Sequence, residues 1–450
     1  MSVPQHFAWF LSRGFGPQAW GQSAWEWDRS WTTSDLYRRG AQELEQAGFD
    51  LVIVEDALSL GSASTLDLRV RRAYGGPKHD PLLLAPSLFD ATRHLGVAPT
   101  VNPMAYSPYQ AARQFATLQH LGEGRLGLNV VTDVGSSRHF GLDPLPHDGA
   151  YDRAHEWLNS IRELWRSWDD GALVQDEATG RFADGDRLRP VQHRGRHYSF
   201  DGPLNARPFD SGEPVIVSPG GSPRGIDFAG AQSDVQLALA PLDTAAVRAY
   251  RERARAAAAA HGRNPDELTV LFVMKPVVVA SREEAERVVA SSAHPDEESL
   301  LTIAAGQSSD LETDLTALDL DRPVDPSVFG EHVSRGSIAG LYGKAGPDAP
   351  LRELLTAKAR LGLIADRSGF VGTAEEVADF IQELGEDADN DGLAFSGDFH
   401  PTTLHRMLDE LVPILRRRGI LRRGYPGGGL RGSLAEFSTT STRAAAIPET

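Results

Sequence analysis

Cysteine is absent from this sequence, which excludes disulfides, thiolate metal sites and cysteine nucleophiles. Long apolar runs are absent as well, because no stretch approaches the roughly 18 consecutive apolar residues that a membrane-spanning helix needs. The amino terminus, MSVPQHFAWFLSRGF, lacks the basic start and extended apolar segment of a signal peptide. These absences lead us to expect a cytoplasmic protein with no membrane partner.

Positive charge is also scarce, with 45 Lys and Arg residues against 62 Asp and Glu, a formal net charge of −17. A surface this acidic repels phosphate backbones and anionic lipids, so nucleic acid is not an expected partner. Hydrophobic residues make up 41% of the chain and charged residues 24%, as in ordinary globular proteins. With 450 residues, the chain can bury a large core without covalent cross-links.

Short apolar runs alternate with longer stretches of helical period along most of the chain. The candidate strands are residues 6–11, 49–56, 95–102, 126–132, 214–218, 235–240, 268–280 and 391–397. This alternation predicts a parallel α/β architecture, and its repetition without a change of pattern favours a closed (β/α)₈ TIM barrel over an open sheet. Thr373 and Glu376 have the spacing of a capping box that opens a late helix.

Two stretches interrupt this rhythm within the single barrel domain that we predict for residues 1–437. Residues 169–213 are rich in Asp, Gly, Arg and Pro, and residues 281–370 are acidic and weakly patterned. We interpret both as insertions at the carboxyl-terminal face of the barrel, and expect one of them to form a lid over its mouth. Residues 438–450 are predicted to be a disordered tail.

The segment GEGRLG at 122–127 matches the glycine pattern of dinucleotide-binding sites. That site requires the glycines to follow a strand and to open a helix, so that the helix amino terminus faces the pyrophosphate. Here a helical pattern precedes the glycines and a strand pattern follows them. We therefore predict a tight turn, and no nicotinamide site.

Two strand ends carry candidate ligand-binding residues. Glu55 and Asp56 are neighbours, so they point to opposite faces of a strand and cannot flank one bond as a glycosidase pair does. We expect Asp56 to face the mouth, with a helix cap or a structural ion pair as the alternative. PGGSPRG at 219–225 places Ser222 at a helix amino terminus, where free N–H groups can hold a phosphate, although many strand–helix turns look similar.

The segment HDGAYDRAHE at 147–156 offers His147, Asp148 and His155 as conceivable metal ligands. The two histidines are eight positions apart, a spacing that does not bring them to one face of a helix. We therefore predict no metal site.

Several ordered blocks form a longer signature. They are residues 79–133, HDGAYDRAHEWLNSIRELWRSW (147–168), PVIVSPGGSPRGIDFA (214–229), VGTAEEVADF (371–380), DGLAFS (391–396) and residues 412–434. Together they resemble the nitrilotriacetate monooxygenase and dibenzothiophene-sulfone monooxygenase family of the bacterial luciferase-like superfamily. The resemblance implies a (β/α)₈ barrel that binds reduced FMN (FMNH₂) at its mouth and oxygenates a small organic molecule with O₂. It also implies a separate NAD(P)H:flavin reductase as partner, and we expect a homo-oligomer, a dimer or tetramer.

The resemblance carries over a set of flavin contacts: Asp56, Thr100, Asn129, His147, Tyr151 and Ser222. The first would lie beside the isoalloxazine ring. Thr100 and Asn129 would border the oxygen-reactive face as the catalytic residues. The remaining three would hold the ribityl phosphate.

The chain departs from the family pattern near the mouth. The family usually has Gln where this chain has Ser218, Ser or Thr where it has Asp133, and Trp where it has Leu128. An Arg commonly follows the tryptophan that matches Trp25, and this chain has Glu26 there. Losing a cation and gaining two acids disfavours a polyanionic substrate, so we expect an apolar aromatic, organosulfur or halogenated compound. Two alternatives stay open: an F420-dependent oxidoreductase of the same superfamily, and a non-catalytic flavin-binding barrel.

Overall fold

The computed structural model describes residues 2–12, 30–60, 66–71, 73, 76–330, 333, 335–399 and 404–437. The sequence positions Trp25 and Glu26 and the predicted tail at 438–450 lie outside the described residues.

Eight parallel strands close into a barrel. They are β1 (His6–Leu11), β2 (Leu51–Val54), β3 (Gly96–Val101), β4 (Gly127–Val130), β5 (Val215–Pro219), β6 (Val235–Ala238), β7 (Thr269–Met274) and β8 (Gly392–Gly397). Each strand pairs with its neighbours in sequence, and β8 closes the ring by pairing with β1. The predicted (β/α)₈ fold is therefore confirmed.

Among the described residues, twelve helices lie between successive strands along the chain, and two more follow the last strand. They are α1 (Asp35–Ala47), α2 (Leu66–Arg71), α3 (Pro81–Ala91), α4 (Pro108–Leu121), α5 (His147–Trp165), α6 (Pro223–Gln232), α7 (Thr244–Ala260), α8 (Arg282–Ser292), α9 (Glu297–Asp310), α10 (Arg335–Tyr342), α11 (Leu351–Ala359), α12 (Ala374–Ala388), α13 (Val412–Arg417) and α14 (Gly429–Ala435). A π-helical turn, Arg406–Leu411, leads into α13. Within the described ranges, none of the helices has the length and apolarity to cross a bilayer.

Helix α1 illustrates how the sequence builds this outer layer. Leu36, Gly40, Leu44 and Ala47 recur at helical spacing, and all four are buried against the barrel. Gly48 then adopts a φ of 91°, a left-handed conformation that glycine takes without steric cost, and ends the helix. The predicted capping box at the start of α12 is also confirmed: the Glu376 carboxylate accepts from the Thr373 N–H at 2.8 Å, and the Thr373 hydroxyl accepts from the Glu376 N–H.

Alternate residues of the strands fill the barrel interior with small and branched side chains. This inner cluster comprises Ala8, Leu51, Ile53, Ala98, Val215, Val217, Val235, Leu237, Leu271 and Ala394, together with Leu430 and Leu434 of α14. Leu430 packs against Gly96 and Gly127, where β3 and β4 begin, so α14 covers the amino-terminal end of the barrel. The interior is a packed core, and the opposite, carboxyl-terminal end is where barrels of this kind bind ligands.

The predicted strand 268–280 is wrong in its second half. Strand β7 ends at Met274, and Val277–Val279 instead pairs with Val371–Thr373 in a separate two-stranded sheet. Pro276 lies between the two pieces, and proline cannot donate a hydrogen bond to a strand ladder. The chain therefore leaves the barrel at this residue.

The two irregular stretches have different structures. Residues 169–213 form two antiparallel hairpins, Leu173–Asp176 with Arg181–Ala183 and Gln192–Arg194 with Ser199–Asp201. Residues 281–370 carry helices α8 to α11, and α9 to α11 pack around a hydrophobic cluster of their own that includes Leu300, Leu341 and Leu354. The division of residues 1–437 into one domain with two insertions stays a prediction.

A buried charge network joins the first two strands to the carboxyl-terminal segment. The Asp50 carboxylate accepts hydrogen bonds from the Phe7 N–H at 2.8 Å and from the Arg422 guanidinium, and His6 Nδ1 lies 3.1 Å from it. The Asp50 and Arg422 side chains are each 1% exposed. A buried charge that loses its partner is strongly destabilising, because the remaining charge stays desolvated.

We expect Asp50→Asn to lower the free energy of unfolding by about 3–5 kcal/mol, measured by urea denaturation. The matched control is Asp90→Asn, whose carboxylate pairs with Arg38 on the surface and is 73% exposed. Because solvent screens that surface pair, the control should leave the midpoint nearly unchanged. Equal shifts for the two variants would contradict the structural role of Asp50.

Candidate active site

Thr100 and Asn129 are in direct contact inside the carboxyl-terminal end of the barrel. They lie opposite each other on β3 and β4, and the Asn129 Nδ2 donates to the Thr100 Oγ1 at 2.8 Å. Both face the interior, since Ala98, two residues before Thr100, and Val217, opposite Asn129, belong to the inner cluster. The side chains are almost fully buried. The two residues predicted to be catalytic thus form one polar pair in an apolar barrel.

The Asn129 amide oxygen has no hydrogen-bond partner although it is buried. Leaving a buried acceptor unsatisfied costs about 1–3 kcal/mol, so such atoms call for a specific explanation. Thr100 adds a complementary group, because its hydroxyl accepts from Asn129 and can still donate its own proton. The pair therefore offers an adjacent donor and acceptor to a polar ligand at the mouth.

A glycine-lined turn between β5 and α6 forms a second group. The Ser222 Oγ caps α6 by accepting from the Gly225 N–H at 3.1 Å, which leaves its hydroxyl proton available. Tyr151 of α5 rests against this turn: a Cβ atom on Gly220 or Gly225 would lie 3.1 or 2.9 Å from the Tyr151 hydroxyl oxygen. Glycine at both positions is what allows the tyrosine to approach.

His147 belongs to this second group through Tyr151. Their ring centroids are 5.2 Å apart in an edge-to-face arrangement. The His147 Nδ1 is 2.9 Å from the Asp148 carboxylate, which fixes the orientation of the imidazole. The three residues predicted to hold a phosphate, His147, Tyr151 and Ser222, therefore lie at one place on the mouth.

Asp56 lies on the same rim, just beyond the end of β2. Burial raises its pKa to about 6; the Lys78 ammonium opposes this shift, and the charges of Glu55 and Asp80 add to it. The ion pair that we considered for Asp56 is made by Glu55 instead, whose carboxylate lies 2.8 Å from the Lys78 Nζ. Since β2 to β5 are successive neighbours in the barrel, the six predicted residues occupy three groups along one arc of the mouth.

Three of the departures from the family pattern serve local structure. The Ser218 hydroxyl bonds to Ser233 at 2.7 Å, on the helix side of the sheet rather than in the barrel. Leu128 is buried in the cluster between strands and helices. The Asp133 carboxylate accepts from the Gly135 N–H at 2.9 Å and from the Ser136 hydroxyl, and so caps its own turn. These residues give little evidence about substrate charge.

Two features of the mouth were missed in the sequence. Asn102 directly follows β3 and is buried, and its Nδ2 donates to the Asp133 carbonyl at 2.9 Å. Its place after a strand end was a signal that could have identified it. Lys78 pairs with Glu55, 23 positions away, and no local pattern indicates that contact.

A polar cavity of about 370 Å³ lies between α5 and α6, away from the mouth. Its arginines are held by acidic residues and by carbonyls at helix ends: Arg166 bonds to Glu213, and Arg263 donates to the Ser233 carbonyl. None of the six predicted residues lines it. Among the described residues, no group of three or more His, Asp or Glu side chains could hold a metal ion.

Comparison with known proteins decides the family. The family model described as luciferase-like monooxygenase matches residues 19–390. The chain belongs to this family. It is 33% identical over 445 residues to the dibenzothiophene-sulfone monooxygenase of Rhodococcus erythropolis (strain XP), covering 95% of this chain and 96% of the relative. Identity to the nitrilotriacetate monooxygenase component A of Aminobacter aminovorans is 30% over 422 residues, 90% of each chain.

Comparison with solved structures supports the same fold. The crystal structure of a riboflavin lyase with modified FMN and riboflavin has a TM-score of 0.80 at 26% identity, covering 98% of this chain and 99% of that one. An F420-dependent secondary alcohol dehydrogenase reaches a TM-score of only 0.54 at 17% identity, so it shares the fold alone. The predicted family and monooxygenase class are confirmed, and the flavin-dependent interpretation is favoured over the F420-dependent one.

The raised pKa of Asp56 predicts how this residue affects stability. Its pKa of about 6 in the folded protein exceeds the ordinary value of 3.8, so folding takes up a proton between these pH values and stability falls as the pH rises through them. Asp56→Asn should therefore raise the Tm at about pH 7.5. The gain should shrink as the pH falls from about 6 towards 4, because the wild-type carboxyl becomes neutral.

Thermal unfolding at several pH values tests this expectation, with Glu55→Gln as the control. That control breaks the ion pair with Lys78 and should lower the Tm. A loss of stability at neutral pH in Asp56→Asn, similar to that of the control, would contradict the conclusion that burial disfavours the ionised Asp56 carboxylate.

Proposed function

We propose that this protein is the oxygenase component of a two-component system, which binds FMNH₂ at the carboxyl-terminal end of its barrel and oxygenates a small organic molecule with O₂. The observation that carries the proposal is the buried Asn129 acceptor without a partner, beside the Thr100 hydroxyl. An acceptor and a donor side by side suit a flavin ring, whose edge alternates N–H, carbonyl and ring nitrogen groups.

The second group of residues suits the other end of the same cofactor. Ser222 stands at the amino terminus of α6, where the helix dipole and the hydroxyl proton of Ser222 favour a phosphate. Tyr151 approaches the same turn from α5, and His147 packs against the Tyr151 ring. Asn129 lies opposite Val217, which precedes this turn by only a few residues, so the ring and phosphate groups belong to adjacent strands. We propose Asp56 as a further neighbour of the ring.

Bound FMNH₂ would supply the electrons that activate O₂. The protein's task is then to orient the ring and the substrate and to keep water away. Thr100 and Asn129 are suited to this task, because both are almost fully buried. A hairpin of the 169–213 stretch is held close to the mouth: the Tyr198 hydroxyl donates to the Pro103 carbonyl at 2.8 Å, and the Glu156 carboxylate accepts from the Tyr198 N–H. Such shielding limits the loss of reactive species to water.

We propose an NAD(P)H:flavin reductase as the partner that supplies reduced flavin. The name component A, carried by the nitrilotriacetate relative, indicates that this relative works with a second component. The glycine segment 122–127 links α4 to β4 as a turn and opens no helix, so it lacks the geometry of a dinucleotide-binding site. This supports a separate reductase as the protein that binds the nicotinamide cofactor. A homo-oligomeric state, dimer or tetramer, is part of this proposal.

For the substrate we propose an apolar aromatic, organosulfur or halogenated compound. Similarity along 95% of the chain to an enzyme named for an aromatic sulfone supports this class. The Asp133 carboxylate caps its own turn and therefore gives no evidence about the charge of the substrate. Dibenzothiophene sulfone is therefore the first compound to test.

We expect the wild-type protein, supplied with FMNH₂ by a generic flavin reductase, to consume O₂ and to form an oxygenated product. Asn129→Ala or Thr100→Ala should lower product formation by about 100-fold, because each removes a polar contact at the reacting centre, while hydrogen peroxide per O₂ consumed rises. The measurements are O₂ uptake, peroxide and product.

Thr117→Ala is the matched control, because that hydroxyl lies on the exposed face of α4 and bonds only within its helix. Unchanged coupling in both site variants would count against their roles. Hydride transfer with F420, together with no O₂ uptake with FMNH₂, would favour the alternative of an F420-dependent oxidoreductase. Flavin binding without turnover across a broad panel of compounds would favour a non-catalytic barrel.

A further inference from the structure

The carbonyl oxygen of Gly220, in the turn between β5 and α6, is held by two buried side chains. The Gln236 Nε2, from β6, and the Tyr250 hydroxyl, from α7, each donate to it at 2.8 Å. The two side chains also bond to each other, with 3.0 Å between the Gln236 Nε2 and the Tyr250 Oη. Gln236 and Tyr250 are buried at 0% and 3% exposure. One backbone carbonyl thus receives two donors from two different elements.

This turn needs such an external constraint. Gly220 has a φ of 139°, a conformation open to glycine, and glycine alone leaves the backbone many alternatives. In a trans peptide the carbonyl and the following N–H point in opposite directions. Holding the Gly220 carbonyl towards β6 and α7 therefore turns the Gly221 N–H the other way, and Gly221 lies on the exposed side of the turn.

We call the two hydrogen bonds from Gln236 and Tyr250 to the Gly220 carbonyl the clamp. The clamp lowers the stability of the fold in one respect, and this argues against a role in packing alone. The Gln236 amide oxygen is buried and has no hydrogen-bond partner. An apolar side chain of similar size at this position would avoid that cost. Burial also raises the pKa of Tyr250 to about 12, so the hydroxyl keeps its proton and remains a donor throughout the useful pH range.

We propose that Gln236 and Tyr250 are positioning residues that preset the β5–α6 turn for a phosphate dianion, and thereby set the preference of this site for FMN over riboflavin. The inference rests on the proposed flavin site. Neither side chain touches the ligand. Both act through the Gly220–Gly221 peptide, whose N–H joins the Ser222 hydroxyl in facing the phosphate.

The test compares the affinities for reduced FMN and reduced riboflavin, titrated anaerobically, in the full-length protein. Tyr250→Phe removes one donor from the Gly220 carbonyl, and Gln236→Met removes the other at similar volume. Each should weaken FMN binding by about fivefold, as expected for one hydrogen bond, and leave riboflavin binding unchanged. The FMN-to-riboflavin ratio should fall further in the double variant.

Tyr425→Phe is the matched control. Its hydroxyl also bonds to two backbone carbonyls, those of Glu45 and Phe49, but lies away from this turn. The control should keep the wild-type ratio even if its Tm falls. A Tm measured for every variant shows which of them are folded. If Tyr250→Phe does not fold, Gln236→Met alone tests the inference.

The outcomes separate the two proposals. If the wild-type protein binds FMN no better than riboflavin, the proposed phosphate site at Ser222 is wrong. If it prefers FMN and both variants keep that preference, the phosphate site stands and the clamp inference is overturned. An equal loss of affinity for both flavins would also overturn it, because a general structural defect does not discriminate by phosphate.

Discussion

Parallel pairing of the eight strands, closed into a ring by β8 and β1 from the His6–Gly392 pair to the Leu11–Gly397 pair, is the constraint on which the other features depend. Because all eight strands run the same way, closing the ring brings every carboxyl end to one rim. Residues that are far apart in sequence then become neighbours: Thr100 and Asn129 hydrogen-bond across β3 and β4, and the β5–α6 turn stands beside them. An open sheet would leave the first and last strands apart.

Buried polar groups occur at both ends of the barrel, and some atoms at each end have no hydrogen-bond partner, among them the Arg422 Nε and the Asn390 Oδ1 at the amino-terminal end. At the amino-terminal end, Asp50 and Arg422 are buried and bonded to each other, and α14 fills the interior. At the carboxyl-terminal end, the Asn129 acceptor is unsatisfied, and ionisation of Asp56 is disfavoured by burial. Unpaired polar groups lower stability, so each of them calls for a specific explanation. The Asn129 acceptor differs from those at the other end in facing the barrel mouth, where we propose that a bound flavin completes it.

Glycine has a distinct part in the proposed phosphate region. Gly220 and Gly225 admit the Tyr151 hydroxyl, which any side chain at those positions would crowd. The same freedom would let the turn move, and the bonds from Gln236 and Tyr250 to the Gly220 carbonyl oppose that movement. Room for the Tyr151 hydroxyl and a fixed backbone are therefore supplied by different residues, the first by the turn and the second by β6 and α7.

The sequence by itself determined the order of strands and helices, the capping box at Thr373 and the turn at 122–127, because local periodicity and capping chemistry specify these. Its ordered blocks determined the family and proposed six site residues. Only the tertiary structure decided that Glu55, not Asp56, pairs with Lys78, that Ser218 faces α6, and that Gln236 and Tyr250 hold the Gly220 carbonyl. Such contacts join distant segments through packing, and packing geometry leaves no periodic trace along a single chain.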